Sequence, residues 1–133
     1  MDAASADQVR AICDEDEDAA RFVREMSSRL GDKWSVRVLA ALGDDVMRFT
    51  ALMEALAPIS HRVLTATLRC LEMDGMVNRA AYAESPPRVE YSLTPLGENF
   101  LTGALSFVAW AQDHQLEIEG HRALNDKSAR RIR

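Results

Sequence analysis

The chain has 133 residues, a formal net charge of −5 and two cysteines, which suits one domain with its own core and leaves no room for two large ones. No run of about eighteen uncharged apolar residues occurs, and "MDAASADQVR" lacks the apolar stretch of an export signal, so a cytoplasmic protein without a membrane is expected. Cys13 and Cys70 lie far apart, without CxxC or Cys/His spacing, so neither a disulfide framework, a metal site nor a cofactor is expected.

Residues 1–18 carry seven acids and one arginine, net −6, and "DEDED" at 14–18 closes this acidic N-terminal extension. Such a segment is expected to be solvated or to open a helix, whose amide end favours negative charge. Residues 19–133 hold 14 acids and 15 bases, net +1, so the acidity is local and does not exclude a nucleic-acid partner. The main domain is expected over 19–121, followed by a basic tail at 122–133 with five bases and Asp126, net +4.

A first helix is expected over 19–30, with Phe22, Val23, Met26 and Leu30 at helical spacing. Trp34, Val38, Ala41 and Leu42 place one apolar stripe on a second helix, begun by Lys33 and stopped by Gly43. "MRFT" reads as a short extended piece, and Thr50 as the cap of a third helix reaching about Ala57, with Leu52, Met53 and Leu56 inward. Ser60 caps a fourth helix running to about Asp74 and closing on Gly75. Residues 76–82 and 88–93 then read as a hairpin around a Ser-Pro-Pro tip. Thr94 and Pro95 start a last helix, expected to reach about His121. Four helices, a hairpin and a final helix make a mainly α fold with a small β-hairpin wing, the order of a winged helix-turn-helix.

The fourth helix is the most informative element. At about 100° per residue, Leu64, Leu68 and Leu71 share one side. Arg62, Thr65, Ala66 and Arg69 occupy the opposite side, with His61 near the N-terminal end and no carboxylate among them. A helix entering the DNA major groove needs donors and small side chains, and cannot carry an unpaired carboxylate toward the phosphates. Arg62 or Arg69 suits a guanine edge, Thr65 a base or a thymine methyl, and Ser60 with the first helix amides a phosphate. Arg48, Arg79, Arg88 and Lys33 are candidate phosphate contacts around it, with the wing arginines rather than Glu84 at the tip touching the backbone. The competing readings are an ordinary solvated face for the helix and single surface charges for the cations, Lys33 above all. Catalysis finds no support: Ser60 and His61 point in different directions, and neither a Gly-rich phosphate loop nor a paired-carboxylate motif occurs.

"LGDKWSVRVLAAL", "MRFTALMEALAPISHRVLTATLRCLEMDGMV" and "PPRVEYSLTPLGENFL" together resemble the HxlR-type regulators, a branch of the MarR-like winged-helix transcription factors, over residues 30–101. The resemblance implies a homodimeric regulator of double-stranded DNA, with the helix after Ser60 as recognition helix and residues 77–93 as wing. A repressor reading a palindromic operator is the expected role, and the first and last helices are expected to build the dimer. Several such regulators sense oxidants or electrophiles through a cysteine ahead of the first helix, which makes Cys13 the candidate redox sensor. Cys13 lies 21 positions before Trp34, farther than the family's cysteine, and the adjacent acids oppose thiolate formation, so an unreactive thiol is the alternative. Cys70 is expected to be a small packed hydrophobe.

In the last helix Phe100, Ala104, Phe107, Ala111, His114, Ile118 and His121 repeat at spacings of four and three, a heptad seam, while Leu101, Leu105, Val108 and Trp110 add a second apolar side. One core cannot cover both, so a two-fold partner helix is expected. His114 and His121 with Glu117 offer a metal or proton site as the sharper alternative to a plain seam end. A small apolar effector between the long helix and the DNA-binding core is a further expectation. The competing function is a winged-helix protein-interaction module that does not bind DNA, motivated by the net negative charge and Glu84.

Overall fold

The computed structural model describes residues 5–8 and 17–132. In chain order the elements are α1 (Glu17–Gly31), α2 (Ser35–Leu42), β1 (Met47–Arg48), α3 (Phe49–Ala55), α4 (His61–Met73), β2 (Val77–Tyr82), β3 (Arg88–Leu93) and α5 (Pro95–Ile132). The apolar stripe of α2 forms the centre of the core. Val38, Leu39 and Leu42 are fully buried against Leu52 of α3, Leu64, Leu68 and Leu71 of α4, and Val77 of β2. Each such side chain contributes about 1.5–3 kcal/mol on leaving water, so this cluster fixes how α3 and α4 stand relative to each other.

Two local starts differ from the sequence expectation. Lys33 precedes α2, and Asp32 supplies the capping oxygen: its Oδ2 accepts from the Ser35 amide at 2.9 Å and the Ser35 hydroxyl at 2.7 Å. Those bonds hold the Asp32 carboxyl below its usual range against the opposing effect of burial. Thr50 does not cap α3; Arg48 occupies that position in an extended conformation without a side-chain cap bond, and the helix ends at Ala55 rather than Ala57. The reason is that Met47 and Arg48 belong to the sheet, paired antiparallel with Tyr91 and Glu90, which makes Arg48 the last extended residue. The expected hairpin is therefore two strands of a three-stranded sheet, ordered β1-β3-β2.

Within the sheet, Val77 pairs with Leu93, Arg79 with Tyr91 and Tyr82 with Arg88. Strand alternation places Met47, Tyr91, Val77 and Leu93 on the core face, and Arg48, Glu90, Tyr82 and Arg88 on the other.

The hinge between α4 and α5 is close-packed. Gly75 takes φ +76°, a conformation that favours glycine. Thr94 donates from its hydroxyl to the Gly75 carbonyl and accepts from the Gly97 amide at 3.1 Å, so it caps α5 as expected. The Gly97 backbone lies so near the Met76 carbonyl that a side-chain Cβ would overlap it. Arg29 of α1 donates to Asp74 at 2.9 Å, tying α1 to the end of α4 and raising the pKa of the guanidinium further.

The largest departure is the length of α5. It passes the expected end at His121 and continues to Ile132, so the basic stretch from Arg122 to Arg131 belongs to its final turns. Beyond Gly120 the sequence contains no glycine or proline and is rich in Ala, Leu, Lys and Arg, all good helix formers. None of the described helices is long and apolar enough to cross a membrane.

Candidate nucleic-acid interface

The α3–α4 pair forms the helix-turn-helix. Leu52, Leu56, Ile59 and Leu64 are buried around the turn, and the His61 ring packs against Phe49 with centroids 4.7 Å apart. Ser60 starts α4 as expected, its Oγ accepting from the Val63 amide at 3.1 Å. Leu64, Leu68 and Leu71 are at most 2% exposed, which forces the other side of α4 outward. Ser60, His61, Arg62, Thr65, Ala66 and Arg69 are all exposed on that side. The Thr65 hydroxyl donates back to the His61 carbonyl at 2.8 Å, which leaves its methyl and oxygen lone pairs for a partner.

The surrounding cations fall into two groups. None of the ion pairs among the described residues involves Arg48, Arg62, Arg69 or Arg79, and all four are exposed. Lys33 instead lies 4.9 Å from the Trp34 ring, which also receives Arg37 at 5.2 Å. Arg37, which the sequence reading missed, could have been found as the residue one helical turn beyond Trp34.

Arg88 differs most from an open phosphate contact. Its Nη2 lies 3.0 Å from Glu84 Oε1, its Nη1 3.4 Å from Glu90 Oε1, and its guanidinium carbon 4.1 Å from the Tyr82 ring centroid. Its Nε is buried without a hydrogen-bond partner. Two carboxylates and an aromatic ring thus balance and cover this charge inside the wing. The hairpin register and the i, i+2 spacing of Arg88 and Glu90 carried that signal in the sequence.

A second surface lies along α1 and α5. Phe22, Leu105, Phe107, Trp110 and Leu116 are each at least half exposed. The expected seam divides: Ala104 is 2% exposed and Phe100 packs on the core of its own chain, because this part of α5 lies against α2. Ala104 is therefore buried against its own chain. Farther along, Ala111, His114 and Ile118 are half-buried and His121 is exposed. His114 stacks on Trp110 at 4.7 Å, with Nδ1 2.7 Å from the Trp110 carbonyl oxygen. Among the described residues no group of three or more His, Cys, Asp or Glu is placed to hold a metal ion, the His114–Glu117–His121 set included.

Between α1, the end of α4 and the first turns of α5 lies an open groove of about 510 Å³, lined by Phe22, Met26, Asp74, Met76, Leu96 and Phe100 among others. Cys70 is a half-buried free thiol; Cys13 lies outside the described residues.

A buried leucine stripe, an arginine-bearing outer face and an adjoining three-stranded wing define a winged helix-turn-helix protein of the transcription-regulator class. The family model for the HxlR-like helix-turn-helix matches residues 29–119, and the chain belongs to that family. It is 38% identical over 95 residues to the uncharacterised HTH-type transcriptional regulator YtfH of Escherichia coli (strain K12), covering 71% of this chain and 75% of that one. Among solved structures, a MarR-family regulator from Enterococcus faecalis V583 superposes with a TM-score of 0.66 at 34% identity, over 75% of this chain and 91% of that one. The redox regulator HypR in its reduced form gives 0.64 at 33% identity, over 74% and 97%. The chain is thus a transcriptional regulator of the helix-turn-helix type.

Proposed function

We propose that this regulator acts as a homodimeric, sequence-specific repressor, reading a palindromic operator with α4 in the major groove. The single observation that supports this most is the outer face of α4, exposed along Ser60, Arg62, Thr65, Ala66 and Arg69 without an acidic partner among the described residues. Arg62 and Arg69 read base edges, Thr65 and Ala66 permit close approach, and Ser60 with the first amides holds a phosphate. Arg79 and Arg48 anchor the backbone; Lys33, engaged with Trp34, contributes less. The exposed apolar face of α1 and α5 is the two-fold contact, through Phe107, Ala111, His114 and Ile118, and sets paired recognition helices about 34 Å apart.

The test is binding of the protein to duplex from its own promoter region and to random duplex at moderate salt. Preferential binding of the former is expected; equal binding would refute sequence-specific regulation. A protein-interaction module without DNA binding predicts no measurable salt slope, whereas several phosphate contacts predict a steep one.

The open groove beside α1 suits a small apolar effector, and the likeness to a redox regulator favours oxidant control through Cys13. Oxidant should then weaken operator binding by the wild type and leave Cys13→Ser unaffected. An equal response of the two proteins would discard Cys13 as the sensor.

A further inference from the structure

The wing contains a charge arrangement that the regulator reading does not require. Arg88 stands on β3 opposite Tyr82 on β2 and shares the outer sheet face with Glu90. Its guanidinium has one terminal nitrogen on Glu84 at 3.0 Å and the other on Glu90 at 3.4 Å, and the Tyr82 ring covers it at 4.1 Å. The side chain is 29% exposed, while that of Glu84 is 50% exposed at the hairpin tip. Arg88 is thus held in one geometry by its inner neighbours, and its outer nitrogen faces a carboxylate that is free to swing into solvent.

A carboxylate and a phosphate present the same oxygen geometry to an arginine. We infer that Glu84 is an affinity-limiting residue: its carboxylate occupies the position on Arg88 Nη2 that a DNA phosphate takes when the wing docks. Binding then exchanges one anion for another. The ordering of Arg88 by Tyr82 and Glu90 is already complete in the free protein, so little side-chain freedom is lost in the exchange. The cost falls on Glu84, which must leave and must then face the phosphates. The wing therefore caps the backbone affinity common to all sequences, and a larger share of binding rests on the base contacts of α4.

This inference rests on the proposed DNA-binding function, and the experiment separates the two. Wild type, Glu84→Gln, Arg88→Gln and the double variant are titrated with random duplex and with promoter duplex across a salt series. Glu84→Gln should bind both duplexes about 2- to 5-fold more tightly, the range of an exposed ion pair. Its plot of log affinity against log salt should keep the wild-type slope, since the same phosphate sits on Arg88 in both proteins. The gain should vanish in the Arg88→Gln background. A gain that persists there would make Glu84 a plain surface charge and overturn the exchange, as would wild-type binding left unchanged by Glu84→Gln. Absence of salt-dependent binding by the wild type would instead refute the regulator reading, and this inference with it. Glu84 is exposed, so its substitution should leave the melting temperature unchanged, and the outcome does not hinge on Arg88→Gln folding well: Arg88→Lys, which loses the two-pronged geometry, should give a reduced gain.

Discussion

Single side chains divide here by what already satisfies them. Arg62 and Arg79 have no acidic partner among the described residues, whereas Arg88 has two. Arg62→Ala should cost about 1–3 kcal/mol of operator binding and relax the sequence preference, while Arg79→Ala should weaken all duplexes alike and flatten the salt slope by about 0.9, both measurable by anisotropy titration. Identical behaviour of the two would erase the distinction between readers and anchors. Asp32 allows a separate test, since folding depresses its pKa through the Ser35 hydrogen bonds. Its stabilising contribution is therefore present above the unfolded carboxyl value of about 4 and fades as pH falls through the lower folded value. Asp32→Ala should lose about 1 kcal/mol at neutral pH in urea denaturation, with the gap to wild type narrowing below about pH 4. At this scale the sequence exposed the α4 stripe well, because leucines three and four apart dictate the opposite face. It showed the state of Arg88 only in part, through the i, i+2 spacing with Glu90, since the pairing also depends on a tip residue four positions earlier.

At the level of elements, the helices and wing were legible because Ser60, Gly75, Thr94 and Pro95 are strong boundary residues with stereochemical reasons to stand there. The start of α3 was hidden, since a two-residue strand has too short a pattern to reveal that β3 claims it. The end of α5 was hidden for the opposite reason: solvent-exposed polar turns have no apolar period, and the helix persists on intrinsic propensity. The junction of α4 with α5 yields the sharpest stability prediction. Gly97→Ala drives a methyl into the Met76 carbonyl, and overpacking of this kind costs about 1–3 kcal/mol or more. A melting temperature equal to wild type would show that the backbone yields there. Gly103→Ala, which meets nothing nearby, is the matched control and should be neutral or slightly stabilising.

For the whole molecule, Phe107 and Trp110 lie on neighbouring sides of α5 and each is about half exposed, the kind of large apolar side chain that marks an interaction surface. Phe107→Glu combined with Trp110→Glu should convert a dimer into monomers in sedimentation and weaken operator binding by removing the second half-site; a wild type that sediments as a monomer at all concentrations would refute the proposed assembly. The 38 residues of α5 form a continuous helix, about 57 Å from end to end. Thr94, which caps its first turn, is bonded to Gly75, the residue that closes α4. Such a rod acts as a lever with its fulcrum beside the DNA reader: pivoting by about 5° would sweep its far tip through about 5 Å over that length. Read in reverse, in the proposed dimer a ligand or a covalent change that displaces the distal turns by one side-chain diameter would re-aim α4 by a few degrees, the strain passing through the contacts that Phe100 and Leu101 make with the core.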